Sequence, residues 1–198
     1  MKTLQYLFFG AMATLLMAAD CSNEDNEFYN DVFISSPNLV SVDASDGQYN
    51  VGENLMVSAF IPKHVDEVGQ ANQLDLYKTT GGALSFTFSY VLERKDANGL
   101  WNTVNIDEVN TVRSVGETTP FGDFMLAKAY FDLELQAYEY NGGIKLTTAG
   151  EYRLRFTYND GVSPNVVLTS DSVNNNLFVT IYSLCEETPG GYYVFNVI

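Results

Sequence analysis

The chain has 198 residues, a formal net charge of −15 and 46% hydrophobic residues, enough for one domain with a packed core. The charge repels polyanions and no basic stripe interrupts it, which excludes nucleic acid as a partner. Thirteen tyrosines and thirteen phenylalanines against one tryptophan and one histidine favour strands, because aromatic side chains suit a pleated, half-buried surface.

At the N-terminus, Lys2 precedes an apolar run from Leu4 to Ala19 that is broken only by Gln5 and Thr14. The run is short for a membrane-spanning helix and has the layout of a secretory signal peptide. Ser22 to Glu27 is acidic and contains no apolar residue, which predicts a flexible tether, since such a segment buries too little surface to fold. The expected organisation is a signal peptide over 1–20, a tether over 21–35 and a single elaborated β-sandwich over 36–198.

Cys21, directly after the apolar run, resembles the acylated cysteine of bacterial lipoproteins, and Ser22-Asn23-Glu24-Asp25-Asn26-Glu27 is similar to the acidic export signal of surface-exposed lipoproteins of the Bacteroidota type. That family prefers Leu three positions before the cysteine and a small residue just before it, where this chain has Ala18 and Asp20. The resemblance implies lipid on Cys21 and anchoring in the outer membrane at the cell surface. The alternative is cleavage after Ala19, which leaves Cys21 free to pair with Cys185. A second short likeness, Asp171-Ser172-Val173, matches the motif at which exported proteins of this type are O-glycosylated and implies Ser172 as the acceptor.

Beyond the tether the chain reads as short alternating runs. Asn38–Ala44 is a first strand and Asp46–Glu53 a turn. Next comes a strand with Leu55, Val57, Ala59 and Ile61 on one face, ended by Pro62. Residues 63–82 form a mixed polar lobe with room for a short helical turn. Ala83–Lys95 is the clearest strand, with Leu84, Phe86, Phe88, Tyr90 and Leu92 alternating with Ser85, Thr87, Ser89 and Val91. Asp96-Ala97-Asn98-Gly99 predicts a hairpin turn into Leu100–Ile106. Residues 107–123 read as loop. Phe124–Tyr140 is one long or two broken strands, and Asn141-Gly142-Gly143 reads as a turn. Tyr152, Leu154, Phe156 and Tyr158 then share a face opposite Arg153 and Arg155, and strands at Asn176–Ser183 and over the last eight residues complete the pattern.

About nine short strands predict an all-β, antiparallel sandwich. The segment Leu146-Thr147-Thr148-Ala149-Gly150-Glu151-Tyr152 resembles the corner of immunoglobulin-like domains, in which a tyrosine after Ala-Gly bonds back to the backbone. By that resemblance Tyr152 is the corner tyrosine, and Leu154 stands where antibody domains carry a cysteine. A transthyretin-like or fibronectin-like sandwich fits the pattern equally.

Catalytic signals are weak. The single histidine, His64, has no nucleophile motif near it. Asp43, Ser45, Asp46 and Glu53 do not follow calcium-loop spacing, because Gly47 falls one position early. Asp132 and Glu134 form a carboxylate pair on one strand face, an arrangement that so acidic a chain offers by chance. No cofactor or metal is expected. If the strands containing Ser85, Arg153 and Phe178 lie side by side, their outward residues make a face of Ser85, Thr87, Ser89, Arg153, Arg155, Phe178, Thr180 and Tyr182. Aromatics and arginine forks suit a glycan or a protein. The expected function is therefore a membrane-anchored, non-catalytic binding module for a glycan or partner protein. The alternatives are a structural module packing on a partner lipoprotein or transporter, and a carboxylate-based glycoside hydrolase.

Overall fold

The strongest period-two run in the sequence becomes the longest strand of the structure, a computed structural model that describes residues 30–43, 46–158, 161–162, 164–171 and 177–198. In chain order the elements are β1 (Asn30–Ser35), β2 (Val40–Val42), β3 (Gln48–Tyr49), β4 (Asn54–Pro62), β5 (His64–Val65), β6 (Leu74–Asp75), α1 (Leu76–Thr79), β7 (Ser85–Lys95) and β8 (Trp101–Thr103). There follow β9 (Thr111–Val115), β10 (Glu117–Pro120), β11 (Met125–Asp132), β12 (Ala137–Lys145), β13 (Gly150–Tyr158), β14 (Gly161–Val162), β15 (Asn165–Ser170), β16 (Leu177–Leu184) and β17 (Tyr193–Val197).

The first layer is built on β7. One edge of β7 pairs with β11, and the other pairs with β15 near its start and β13 along its second half. Beyond β15 lie β16 and then β1, and beyond β13 lie β17 and β3. The second layer is centred on β12, flanked by β4 and β9, with β2 beyond β4. The β11–β12 hairpin passes the chain from one layer to the other, pairing only Tyr130–Asp132 with Ala137–Glu139. All of these pairings are antiparallel except β1 with β16 and β17 with β3.

Alternation explains why the layers close. Phe86, Phe88, Tyr90 and Leu92 point from β7 toward Tyr138 and Tyr140 of β12, with Phe86–Tyr138 ring centroids 4.8 Å apart and Phe88–Tyr140 5.3 Å apart, both edge-to-face. Their hydroxyls bond inside the core: Tyr90 and Tyr140 lie 3.0 Å apart, and Tyr140 and Thr118 3.0 Å. The corner expected from the sequence forms, since the Tyr152 hydroxyl donates to the Thr148 carbonyl at 2.8 Å, and Leu154 is fully buried in the cysteine position. The chain is thus an all-β sandwich of immunoglobulin-like character.

Four expectations are corrected. The segment assigned to the tether ends early, because Asn30–Ser35 forms β1 against β16. Asn141-Gly142-Gly143 lies inside β12, opposite Ser58, Val57 and Met56, and the turn falls instead at Leu133–Gln136, where Gln136 has φ 52°. Residues 107–123 contain β9 and β10, whose mixed polar sequences hid them. Asn165–Ser170 is a strand that no expected element covered.

The sandwich has two distinct ends. β7 rises about 33 Å over its length. Its start lies level with Asn30, because Ser170 pairs with Phe86 while Leu177 pairs with Asn30. Its finish lies beside β8, the 147–150 loop and the end of β17.

Candidate binding face

The outward residues of β7 are Ser85, Thr87, Ser89, Val91, Glu93 and Lys95. Cross-strand pairing sets their neighbours: Thr87 faces Thr169, which faces Thr180; Glu93 faces Arg153 and Thr103; Arg153 faces Val194; and Lys95 faces Trp101. The expected parity therefore holds for Thr87, Ser89, Arg153, Arg155, Phe178 and Tyr182, which all belong to the outer side of this layer. The expected adjacency does not hold. β15 separates β7 from β16, and β17 rather than β16 flanks β13. The face consequently divides into two regions.

The region near the start of β7 carries Thr87, Thr169 and Thr180 in a row, and Tyr182 with Phe33 at 6.4 Å between ring centroids. Ser85 drops out of the accessible set, because it is fully buried and its hydroxyl donates to Asp171.

The region near the finish of β7 holds both arginines of the expected face. Arg153 Nε donates to Glu93 Oε2, and Arg155 Nε donates to Glu93 Oε1 at 3.3 Å. Neither Asp132 nor Glu134 takes part. Asp132 accepts the Glu134 and Leu135 amides at 2.7 and 2.9 Å, and Glu134 sits in the hairpin turn rather than on a strand face. The guanidinium carbon of Arg153 lies 4.5 Å from the Trp101 ring centre and 4.2 Å from that of Tyr192. Lys95 lies 5.5 Å from the same tryptophan and is bonded to Glu151 at 2.9 Å. Only 10% of the Glu93 side chain is exposed, so one nearly buried carboxylate serves two guanidiniums. Arg155 Nη1 is buried with no acceptor. The cluster of Arg153, Arg155 and Glu93 carries a net positive charge on a strongly acidic chain, which focuses attraction for an anionic or π-rich partner at one place.

Glu93, Trp101, Tyr192 and Val194 are the residues sequence reasoning missed. Two signals were present. The outward series 85, 87, 89, 91 continues to Glu93, and a tight Asp96–Gly99 hairpin places Trp101 against Lys95.

The other candidates do not assemble into sites. His64 is exposed, 3.5 Å from Asp75, which itself caps α1. Both oxygens of Glu53 accept from Asn50, which lowers its pKa and ties it to its own turn. Among the described residues no group of three His, Cys, Asp or Glu side chains is placed to hold a metal. Cys185 is buried with no disulfide partner among the described residues, and burial, helped by a 3.1 Å bond to Glu187, pushes its thiol pKa to about 12. Cys21, Ser45 and Ser172 lie outside the described residues.

No protein-family model matches the chain, and no curated protein matches it. Among solved structures it is similar to a type II cohesin domain from the cellulosome of Acetivibrio cellulolyticus, with 12% identity and a TM-score of 0.31, over 73% of this chain and 95% of that one.

Proposed function

We propose that the protein is a lipid-anchored cell-surface module that binds a partner protein through the outer face of its first layer and performs no chemistry itself. The observation that carries this reading is Arg153 held between Trp101 and Tyr192, with Glu93 behind it and the half-exposed Val194 (52%) beside it. Trp, Tyr and Arg clustered around a desolvated ion pair have the chemistry of a protein-interface hot spot. A partner protein is favoured over a glycan here because Trp101 and Tyr192 already stack on cations, so their rings do not offer free platforms to a sugar. The geometry of the ends supports the anchor. Asn30, which follows the acidic segment after Cys21, lies at the opposite end of the sandwich from this cluster, so anchoring at Cys21 presents the cluster outward.

Two measurements test the proposal. Intact mass of the protein extracted from membranes should show a lipid-sized increment on Cys21; an unmodified chain refutes the anchor. Affinity purification from the envelope of the source cell should return one stoichiometric partner, lost in Trp101→Ala and Val194→Asp at unchanged melting temperature. Retention of the partner by both variants refutes the face. Binding to a glycan array that depends on the same residues would replace the protein by a sugar.

A further inference from the structure

The end of the sandwich where β7 finishes contains a groove of about 480 Å³ that the binding-face reading does not use. Its walls include Arg94, Lys95, Asp96, Asn102, Thr103 and the 147–148 loop, with Tyr152 beneath. Among the described residues Arg94 alone of the four arginines has no carboxylate within ion-pair distance, so it is the positive charge of this groove without a direct counter-ion there. Its guanidinium is held on three sides. Nη2 donates to the Ala149 carbonyl at 2.7 Å, the Tyr152 ring lies 5.8 Å from its carbon, and Gly150 packs so closely that a Cβ there would stand 2.8 Å from Nε. Nε itself is buried without an acceptor. The remaining charges are already engaged. Lys95 is bonded to Glu151, and Asp96 accepts from the amides of Asn98 and Leu100 and the side chain of Asn102. Those three bonds hold the Asp96 carboxylate to its own hairpin and lower its pKa, led by the Leu100 amide.

A fixed guanidinium with no carboxylate at ion-pair distance, beside three threonine hydroxyls, suits a ligand with a carboxylate to supply the counter-charge and several hydroxyls to meet the neutral polar wall. We infer that this groove binds a small polyhydroxylated carboxylate, the chemistry of a sugar acid. The inference stands apart from the outer-face reading, since neither Arg153 nor Val194 lines the groove.

The test uses the full chain in detergent, with D-galacturonate, its methyl ester and D-galactose as probes, followed by calorimetry and by the fluorescence of Trp101, the only tryptophan, next to Asn102 in the chain. The acid should bind saturably at millimolar concentration or below, with the ester and galactose at least about ten-fold weaker. Arg94→Ala should weaken the acid by at least about ten-fold, while Lys78→Ala, on α1, leaves it unchanged. Equal binding of galactose, equal competition by inorganic sulfate, survival of binding in Arg94→Ala, or no binding of the acid each overturns the inference. Because the three-probe comparison is made on the unaltered protein, it stands even if Arg94→Ala fails to fold.

Discussion

Glu93 shows how much one side chain can organise on an otherwise exposed sheet. Its two oxygens fix two arginines on the neighbouring strand, and the position of Arg153 between Trp101 and Tyr192 depends on that fixation. Removing the carboxylate leaves two guanidiniums, 21% and 17% exposed, facing each other without compensation. Glu93→Ala should therefore destabilise the fold by about 2 kcal/mol, the scale of a lost charged hydrogen bond with its orphaned partner. Urea unfolding measures this, and a loss below about 0.5 kcal/mol, the scale of a solvent-screened pair, would show that water already compensates the cluster. Cys185 makes a different argument. Burial raises its thiol pKa to about 12 and leaves it 1% accessible, so almost no thiolate exists near neutrality. Iodoacetamide at pH 8 should modify it only as fast as the protein opens, and at once in denaturant, as intact mass would show. Rapid native labelling would contradict the enclosed position.

At the level of elements, what the sequence revealed and what it hid have separate physical causes. Strands whose apolar residues recur at every second position alternate visibly, so β4, β7 and β13 were legible with most of their core residues, as was the tyrosine corner; Leu84, expected on the core side of β7, lies before the strand and is exposed. The outward parity of Arg153, Arg155, Phe178 and Tyr182 followed from the same alternation. Which strand lies beside which did not, because lateral order depends on contacts between distant segments; β15 in particular carries Val166, Val167 and Leu168, all buried, and so shows no alternation. The Asn141-Gly142-Gly143 run misled for another reason. These glycines serve close packing rather than a reversal: a Cβ on Gly143 would overlap the Leu55 carbonyl, and one on Gly142 the Thr118 hydroxyl. Gly99, by contrast, sits at φ +83° in a true turn with open space around it. Gly143→Ala should accordingly cost about 3 kcal/mol, the upper part of the range for overpacking. Gly99→Ala should cost only about 1 kcal/mol of backbone strain. Equal losses in the two variants, measured by denaturant unfolding, would mean that the β12–β4 pairing relaxes around an added methyl.

Taken as a whole, the molecule closes its two layers with phenol rings, and this gives its stability a pH dependence whose sign is fixed. Burial raises the pKa of Tyr138 to about 12, that of Tyr90 well above the ordinary phenol value, and that of Tyr140 in the same direction. In the unfolded chain the same phenols ionise near pH 10. A group whose folded pKa is raised contributes its full stabilisation below the unfolded pKa and loses it as pH climbs, because only the unfolded state then releases the proton. The sandwich should hold its stability up to about pH 10 and weaken progressively above it, unfolding in one cooperative step that exposes Tyr90, Tyr138 and Tyr140 together. Absorbance of the phenolate should show these rings ionising at the same pH at which the far-ultraviolet circular dichroism of the sheet is lost. Tyr140→Phe probes the centre of this arrangement, since it removes the partner shared by Tyr90 and Thr118 and leaves both hydroxyls buried. That variant should lose about 1–3 kcal/mol, the cost of orphaned buried hydroxyls, and its alkaline transition should move to lower pH. If the variant is as stable as the parent, or if the buried phenols titrate while the sheet stays folded, the phenol bridge does not hold the layers together.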